Sequence, residues 1–238
     1  MVPSAYAHDI HGVLILDSTV IGGMNSFEAK AAISLGLSVT LVNAATWDSM
    51  KADQFEDYRA IVLGDPRCVG NPSPVAAAIS NEAVWGPQIK GNVVVIGTDP
   101  SFHAFNGANQ SGALKLIKDG IRFATNHEDT GAYISLSCYY NASAGNTPVP
   151  LLNAFKPGGF TVEGQKNGCP NHGHIVTAVP AFSGLTNADL LNWSCSIHEM
   201  FDKFPSRFQV LAQNNDNKLA YILVHRPKPE KDVSSPEV

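Results

Sequence analysis

The sequence predicts an α/β protein built around a mostly parallel β-sheet. In its first half, short apolar runs alternate with segments of helical periodicity, which is the pattern of successive βαβ units. The most apolar run, Asn92–Ile96, has the composition of a central parallel strand that is covered on both faces. A chain of 238 residues accommodates one such domain and would be cramped as two, so we expect a single domain over residues 12–225.

Five strands are predicted in the first half, each a short run rich in β-branched and other apolar residues. They are Gly12–Leu16, Ser38–Val42, Ala60–Leu63, Asn92–Ile96 and Ala132–Ser137. The helical segments predicted between them are Phe27–Leu35, Trp47–Tyr58, Pro74–Ile89 (broken near Gly86) and Ser111–Asn126. The last helix has the clearest pattern, because its apolar residues recur at three- and four-residue intervals.

The second half of the chain has a different character. Residues 141–173 are rich in Gly, Pro and Asn, with a short hairpin predicted around Phe160–Glu163. A further strand is predicted at Ile175–Ala178, and a hairpin joins Phe208–Ala212 to Leu219–Val224. Asp189–Phe201 has a weaker helical pattern. We therefore expect a loop-rich half that adds short strands to the sheet, followed by a disordered tail or linker over residues 226–238, which are proline-rich and charged.

Composition argues against two classes of partner. A net charge of −5 with interspersed charges provides no basic surface for nucleic acid. The apolar runs are too short to span a bilayer. The first residues, MVPSAYAHDIHG, lack the basic and apolar regions of a secretory signal, and the mature form of a secreted protein would look the same.

Polar residues follow four of the predicted strands. Because the carboxyl ends of parallel strands meet at one edge of a sheet, and ligands collect there, these residues predict a binding edge. Turn formation alone explains any one of the loops, so the prediction depends on their accumulation. The candidate ligand-binding residues are Asp17, Ser18, Asp65, Thr98, His103 and Tyr139.

Four phrases of the sequence carry a family resemblance. They are GDPRC at 64–68, GNVVVIGTDP at 91–100, GAYISLSCYY at 131–140 and NWSCSIHEMF at 192–201. With them the chain resembles the class I glutamine amidotransferase-like superfamily over residues 12–224. It is similar to the trehalose-utilisation (ThuA-like) branch, and more closely to uncharacterised domains of large secreted bacterial proteins. The resemblance implies a flavodoxin-like three-layer sandwich with strand order 2-1-3-4-5.

The residues at the family's catalytic positions depart from its pattern. In amidotransferases of this superfamily a cysteine nucleophile follows the fourth strand, and a later His-x-Glu supplies the base and its orienting carboxylate. Here Asp99 stands in place of the cysteine, and His198 and Glu199 are adjacent. Pro66 and Pro100 also stand near the positions whose N–H groups would form the oxyanion hole, and proline has no N–H. We therefore expect no glutamine hydrolysis.

Two functions remain. The first is a non-catalytic module that binds a small molecule, a glycan or a neighbouring domain of a larger protein at the strand edge, without a cofactor. The alternative is a hydrolase of a carbohydrate or ester, with Asp99 as nucleophile or base, His198 as its partner and Glu199 or Asp65 as the orienting group. Asp99 is equally suited to a purely structural role, in which it hydrogen-bonds the backbone ahead of the next helix.

The four cysteines permit two disulfides. Cys68 and Cys138 follow the third and fifth predicted strands, so with the implied strand order a bridge between them would reach over the central turn. Cys169 and Cys195 would then pair within the second half. The resemblance to secreted domains favours both bridges and an extracellular or cell-surface location, whereas four reduced cysteines would indicate an intracellular protein.

A metal site receives little support from residue spacing. His103, His172, His174 and His198 lie in loop-rich stretches, and with Asp99, Cys169 or Cys195 they offer ligand types that suit zinc. Only His172 and His174 approach the close spacing of a metal motif. We therefore expect no metal.

Overall fold

The computed structural model describes residues 11–165 and 168–227. Five parallel strands form one half of its central sheet, in agreement with the predicted α/β class. They are β1 (His11–Leu16), β2 (Val39–Val42), β3 (Tyr58–Leu63), β4 (Val93–Ile96) and β5 (Gly131–Ser135). All five predicted strands are thus present, each within a few residues of its predicted bounds.

The order of the last two strands differs from the expected 2-1-3-4-5. The order is β2-β1-β3-β5-β4, because β5 pairs with β3 on one side and with β4 on the other. Every residue of β4 and β5 is buried, so both are internal strands of the sheet. Their composition therefore could not establish which of them is next to β3.

The second half extends the sheet beyond β4. Its strands are β6 (Thr147–Pro148), β7 (Thr161–Gly164), β8 (Gly173–Ile175), β9 (Glu199–Lys203), β10 (Gln209–Asn214) and β11 (Ala220–His225). β11 pairs antiparallel with β4, and β10 and β9 both pair antiparallel with β11. The predicted hairpin is therefore present as β10 and β11, and the predicted strand around 160–163 is β7, which pairs with β6.

The helix predicted over Asp189–Phe201 is wrong. A short 3-10 turn, Asn187–Leu190, is followed by irregular chain and then by β9. Asn192 and Ser194 have positive φ angles of 63° and 74°, which a right-handed helix does not accommodate. The break brings the residue before β9, His198, to the edge of the sheet, where its backbone N–H bonds the carbonyl of Gly97.

Helices cover both faces of the sheet and complete three layers. They are α1 (Phe27–Ser34), α2 (Ala44–Ser49), α3 (Ala52–Glu56), α4 (Ala76–Ser80), α5 (Glu82–Trp85), α6 (Pro100–Asn106) and α7 (Gln110–Thr125). Alternate residues of β1 point to opposite faces: Val13 packs with α1 and α7, whereas Leu14 packs with Trp47 of α2 and Trp85 of α5. Among the described residues, no helix is long and apolar enough to cross a membrane.

Both expected disulfides are present, Cys68–Cys138 and Cys169–Cys195, and none of the four cysteines is free. The Cys68–Cys138 bridge does not reach over the central turn, which the implied strand order had predicted. It joins the ends of β3 and β5, which are direct neighbours in this sheet. The predicted tail over 226–238 lies, except for its first two residues, outside the described part of the chain.

Candidate functional site

Asp99 occupies the crossing from β4 to the N-terminus of α6. Its side chain is fully buried, and one carboxylate oxygen, Oδ1, lies 2.9 Å from Nε2 of His103 and 2.9 Å from Nε2 of His198. Asp99 is the residue preceding α6, yet its carboxylate makes no capping hydrogen bond to that helix. The side chain therefore belongs to an aspartate–histidine cluster and does not serve as a turn or cap residue.

The two histidines determine the charge of this carboxylate. Burial raises the pKa of Asp99, but the neighbouring imidazoles of His103 and His198 outweigh burial and hold the pKa below its ordinary value. Both nitrogens of His103 are buried, and neither has a well-aligned hydrogen-bond partner, although Nε2 lies 2.9 Å from Oδ1 of Asp99. Asp99 is consequently an ionised carboxylate enclosed between two rings.

Glu199 does not take the orienting role that the sequence suggested for it. Its Oε1 accepts a hydrogen bond from the backbone N–H of Tyr140 at 2.9 Å, and its Oε2 has no partner. Burial raises the pKa of Glu199 well above its usual range, which favours the protonated form. The carboxylate beside His198 is that of Asp99.

Asp65 is surrounded by hydrogen-bond donors. Its Oδ1 accepts from the backbone N–H groups of Arg67 (2.8 Å) and Cys68 (3.2 Å) and from the hydroxyl of Ser137 (2.6 Å). Its Oδ2 accepts from the backbone N–H of Phe102 at 2.9 Å, in the first turn of α6. Burial, with the Asp99 charge nearby, raises the pKa of Asp65 to about 6. Its contacts are with these donors, so it does not orient His198.

Glu28 is a buried member of this edge that the sequence reasoning missed. Its Oε1 accepts from the backbone N–H of Asp65 (3.0 Å) and from the hydroxyl of Ser101 (2.6 Å), and burial raises its pKa to about 7. A signal was present, because Glu28 lies four residues before Ala32, on the buried side of α1.

The backbone donors around Asp99 are occupied by the protein's own groups. The N–H of Gly64 bonds the hydroxyl of Thr19 at 3.0 Å, and the N–H of Asp65 bonds Glu28. Pro66 and Pro100, the next residue of each loop, have no N–H to offer. The N–H groups of Gly64 and Asp65, at the end of β3, are therefore not available to a tetrahedral anion.

Cys138 lies beside His198. Its sulfur is 3.2 Å from Nδ1 of His198 and 3.3 Å from Oδ2 of Asp99. Because Cys138 is bonded to Cys68, this sulfur is not a thiolate nucleophile. Cys68, Cys138, His198 and Asp99 each place a potential ligand atom within 4.8 Å of the others.

The remaining predicted binding residues divide into three groups. Thr98 is buried beside the cluster, with its hydroxyl 3.4 Å from Asp99 Oδ1. Asp17 and Ser18 are exposed after β1, where the Ser18 hydroxyl donates to the carbonyl of Pro74. Tyr139 is buried in the core, with its hydroxyl unpaired. Of these residues only Thr98 joins the cluster.

The histidines that were considered as zinc ligands do not converge. Nδ1 of His172 lies 2.9 Å from Asp216, and Nδ1 of His174 lies 2.9 Å from the Asn187 side chain. His172, Asp216 and Asn187 are exposed and His174 is a half-buried residue of β8, so neither pair belongs to the buried Asp99 cluster. The disulfide beside Asp99 is Cys68–Cys138. The cysteines considered as zinc ligands from the sequence, Cys169 and Cys195, form the other disulfide.

A cleft of about 660 Å³ opens next to the buried cluster. The residues that line it are Glu163, Gly164, Gln165, Gly168, Cys169, Pro170, Asn171, His172, Met200, Asn214, Asp216 and Asn217. Gln165 belongs to both regions, because its Nε2 lies 3.3 Å from His198 Nδ1 and 3.3 Å from Cys195 Sγ. The cleft is therefore separated from His198 by one amide side chain.

Fold and site together define an α/β domain with an aspartate–histidine cluster buried at the carboxyl edge of its parallel strands. No family model, no curated protein and no solved structure matches the chain. Membership of the glutamine amidotransferase-like superfamily accordingly stays a prediction from the four sequence phrases.

Proposed function

We propose that this chain is a non-catalytic, glutamine amidotransferase-like module that binds a small polyhydroxylated ligand, such as a glycan unit, at the carboxyl edge of its sheet. The observation that carries the proposal is the state of Asp99. It stands where the related enzymes have their nucleophile, and it is fully buried between two histidines. A residue held in this way stabilises the edge of the sheet.

Burial argues against chemistry at this cluster. A reacting group must come within about 3–3.5 Å of a substrate atom. The side chain of Asp99 is 0% exposed, that of His103 2% and that of His198 5%, so a substrate atom has no approach to the carboxylate without displacing Gln165 and its neighbours. The cysteine beside the cluster is held in a disulfide.

The cleft next to the cluster supplies suitable binding chemistry. Asn214 ends β10, and Glu163 and Gly164 end β7, so the cleft lies at the ends of strands. Side-chain amides and carboxylates, which donate to and accept from hydroxyl groups, account for much of its lining. A cleft of about 660 Å³ is within the usual size of a small-molecule site.

A binding experiment tests this proposal directly. The chain is titrated with a panel of mono- and oligosaccharides by calorimetry, and binding is repeated with Asp216→Asn and Glu163→Gln. Each variant removes a cleft carboxylate at constant size, and we expect a Kd raised roughly fivefold to tenfold. Asp129→Asn is a matched control, because it alters another exposed aspartate paired with a histidine, His127, outside the cleft lining. Saccharide affinity that neither cleft variant changes would contradict the proposed site.

The hydrolase alternative is favoured by one distance. Asp99 and His198 are in direct contact at 2.9 Å, as an acid–base pair requires. The hydrolase alternative predicts that the chain hydrolyses chromogenic glycosides or esters and that both Asp99→Asn and His198→Ala abolish this activity. If hydrolysis with this dependence on both residues is measured, the chain is a hydrolase and the non-catalytic proposal is wrong.

The proposed location is extracellular or at the cell surface. Disulfides form and persist in oxidising compartments, and both cysteine pairs of this chain are bridged. A module of a larger secreted protein would fit this chemistry. Mass spectrometry of the chain isolated from its natural source, with thiols blocked before lysis, would identify both bridges if the proposal is right and four blocked thiols if it is wrong.

A further inference from the structure

Four side chains of metal-ligating type meet at the edge of the sheet. Cys68 follows β3, Cys138 follows β5, Asp99 follows β4 and His198 precedes β9. Their ligand atoms lie within 4.8 Å of one another, and in the described part of the chain this is the one group of its kind. We propose that reduction of the Cys68–Cys138 disulfide exposes a zinc site formed by Cys68, Cys138, His198 and Asp99.

The donor set suits zinc. Two sulfurs, one imidazole nitrogen and one carboxylate oxygen make up a four-coordinate set, with bond lengths of about 2.3 Å to sulfur and about 2.0–2.2 Å to nitrogen and oxygen. In a tetrahedral site these bond lengths separate two ligand atoms by about 3.3–3.8 Å. The ligand atoms of the group lie within 4.8 Å of one another, so shifts of about 1 Å bring them to that arrangement. Thiolate and imidazole select zinc over magnesium and calcium, which prefer oxygen ligands.

Nδ1 of His198 is the ring nitrogen that can bind zinc. Nε2 of Gln165 lies 3.3 Å from Nδ1 of His198, and an amide nitrogen can only donate, so Nδ1 carries the lone pair. The other ring nitrogen, Nε2, faces Oδ1 of Asp99 at 2.9 Å. Nδ1 is also the ring nitrogen nearer to the sulfur of Cys138, at 3.2 Å against 4.0 Å for Nε2, and Oδ2 of Asp99 lies 3.3 Å from the same sulfur.

The disulfide controls access to the site. The thiolate is the metal ligand, and neither sulfur is a thiolate while the bond is intact. A dithiol reductant supplies two electrons and two protons: the S–S bond breaks, two cysteine thiols form and the reductant becomes a cyclic disulfide. Zinc then displaces the two thiol protons, and Zn²⁺ with two thiolates and one carboxylate has a net charge of −1. Cys68 is the half-buried member of the pair, so the reductant's thiolate attacks its sulfur first.

The test uses the wild-type chain before and after reduction with a dithiol or a phosphine, with Co²⁺ as the spectroscopic probe. Reduced chain should bind one equivalent and develop thiolate-to-cobalt charge-transfer absorption and the intense visible bands of tetrahedral cobalt, which Zn²⁺ then abolishes. Oxidised chain should show neither signal. No binding after reduction, or equal binding before it, would overturn the proposal.

Alkylation identifies the ligands without any variant. With Zn²⁺ present, iodoacetamide should label Cys169 and Cys195 of the reduced chain and leave Cys68 and Cys138 unlabelled, as read by peptide mass spectrometry. The second disulfide is the internal control, because the same reductant opens it. Protection of Cys169 and Cys195 instead, or of none of the four, would show that the proposed ligands are wrong.

Two sets of variants complete the assignment. His198→Ala should weaken zinc binding at least about 100-fold, more than the roughly 10–100-fold that loss of an outer partner costs. The double variant Cys169→Ser/Cys195→Ser should retain one equivalent of cobalt with the same spectrum. Unchanged affinity in a folded His198→Ala chain overturns the assignment of His198.

Discussion

Asp99 and His198, which are 99 positions apart in the sequence, meet with Oδ1 of Asp99 2.9 Å from Nε2 of His198. The contact joins the two halves of the chain, because Asp99 follows parallel strand β4 and His198 precedes β9 in the antiparallel extension. The backbone reinforces it, since the N–H groups of His198 and Glu199 both bond the carbonyl of Gly97. The antiparallel half is thereby fixed to the carboxyl edge of the parallel half.

This contact predicts a strong coupling between Asp99 and His198. His198→Ala leaves a fully buried carboxylate with His103 as its one remaining imidazole, and we expect the free energy of unfolding to fall by roughly 3 kcal/mol. In an Asp99→Asn background the same substitution should cost less, because the buried amide that is left behind carries no charge. Urea unfolding of the wild type, both single variants and the double variant measures the difference. Additive losses would mean that the two residues stabilise the fold independently.

The buried carboxyls predict an unusual dependence of stability on pH. The pKa of Glu28 is raised to about 7 in the folded state from an ordinary value of 4.5, so the folded chain binds more protons than the unfolded chain between those values. Stability should therefore fall by about 3 kcal/mol as the pH rises from 4.5 to 7 and level off above it. Asp65, with its pKa raised to about 6, contributes in the same direction.

Glu28→Gln tests this pH dependence. Gln keeps an acceptor oxygen for Asp65 and Ser101 and does not titrate, so the fall in stability between pH 4.5 and 7 should shrink. Asp129→Asn, at an exposed carboxylate, should leave the profile unchanged. Thermal denaturation across this pH range provides the measurement, and identical profiles for Glu28→Gln and the wild type would refute the role given to Glu28.

The sequence predicted those features that depend on local pattern. All five parallel strands, the hairpin of β10 and β11, and the position of Asp99 at the end of β4 follow from apolar runs and turn residues. The strand order did not, since β4 and β5 are both fully buried and β11, from the far end of the chain, occupies the other side of β4. The contact between Cys138 and His198 depends on the same strand order, because Cys138 follows β5, the strand that lies beside β4.

Glu28 and Glu199 show a second limit of sequence reasoning. A charged residue on a helix is usually solvated, and the adjacency of His198 and Glu199 suggested a functional pair. In the structure, Glu28 accepts from Asp65 and Ser101, and Glu199 accepts from Tyr140. These partners come from distant parts of the chain, so burial and tertiary contacts determine the roles of both carboxyls.

The two disulfides should contribute unequally to stability. Cys68–Cys138 closes a loop with a sequence separation of 70 residues, and Cys169–Cys195 one of 26. In the chain-entropy model these are worth about 4.4 and about 3.5 kcal/mol respectively. We expect Cys68→Ala/Cys138→Ala to lower the urea midpoint more than Cys169→Ala/Cys195→Ala, also because it leaves a space beside the buried Asp99 and His198. The reverse order would show that the second bridge has the larger structural role.

Gly97 should tolerate no side chain, because its backbone lies against β9. A Cβ added there would overlap the carbonyl oxygen of Glu199 and press on that of Tyr221, both of which are backbone atoms. Gly97→Ala must therefore move β9 away from β4 and weaken the hydrogen bonds from His198 and Glu199 to the Gly97 carbonyl. We expect a loss of at least about 2 kcal/mol of stability and a change in the histidine NMR signals of His198. Gly184→Ala is the matched control, since a Cβ at Gly184 meets nothing within 4 Å and its backbone conformation is open to alanine. If the two variants were equally stable, the close approach of β9 to Gly97 would have no part in holding His198 against Asp99.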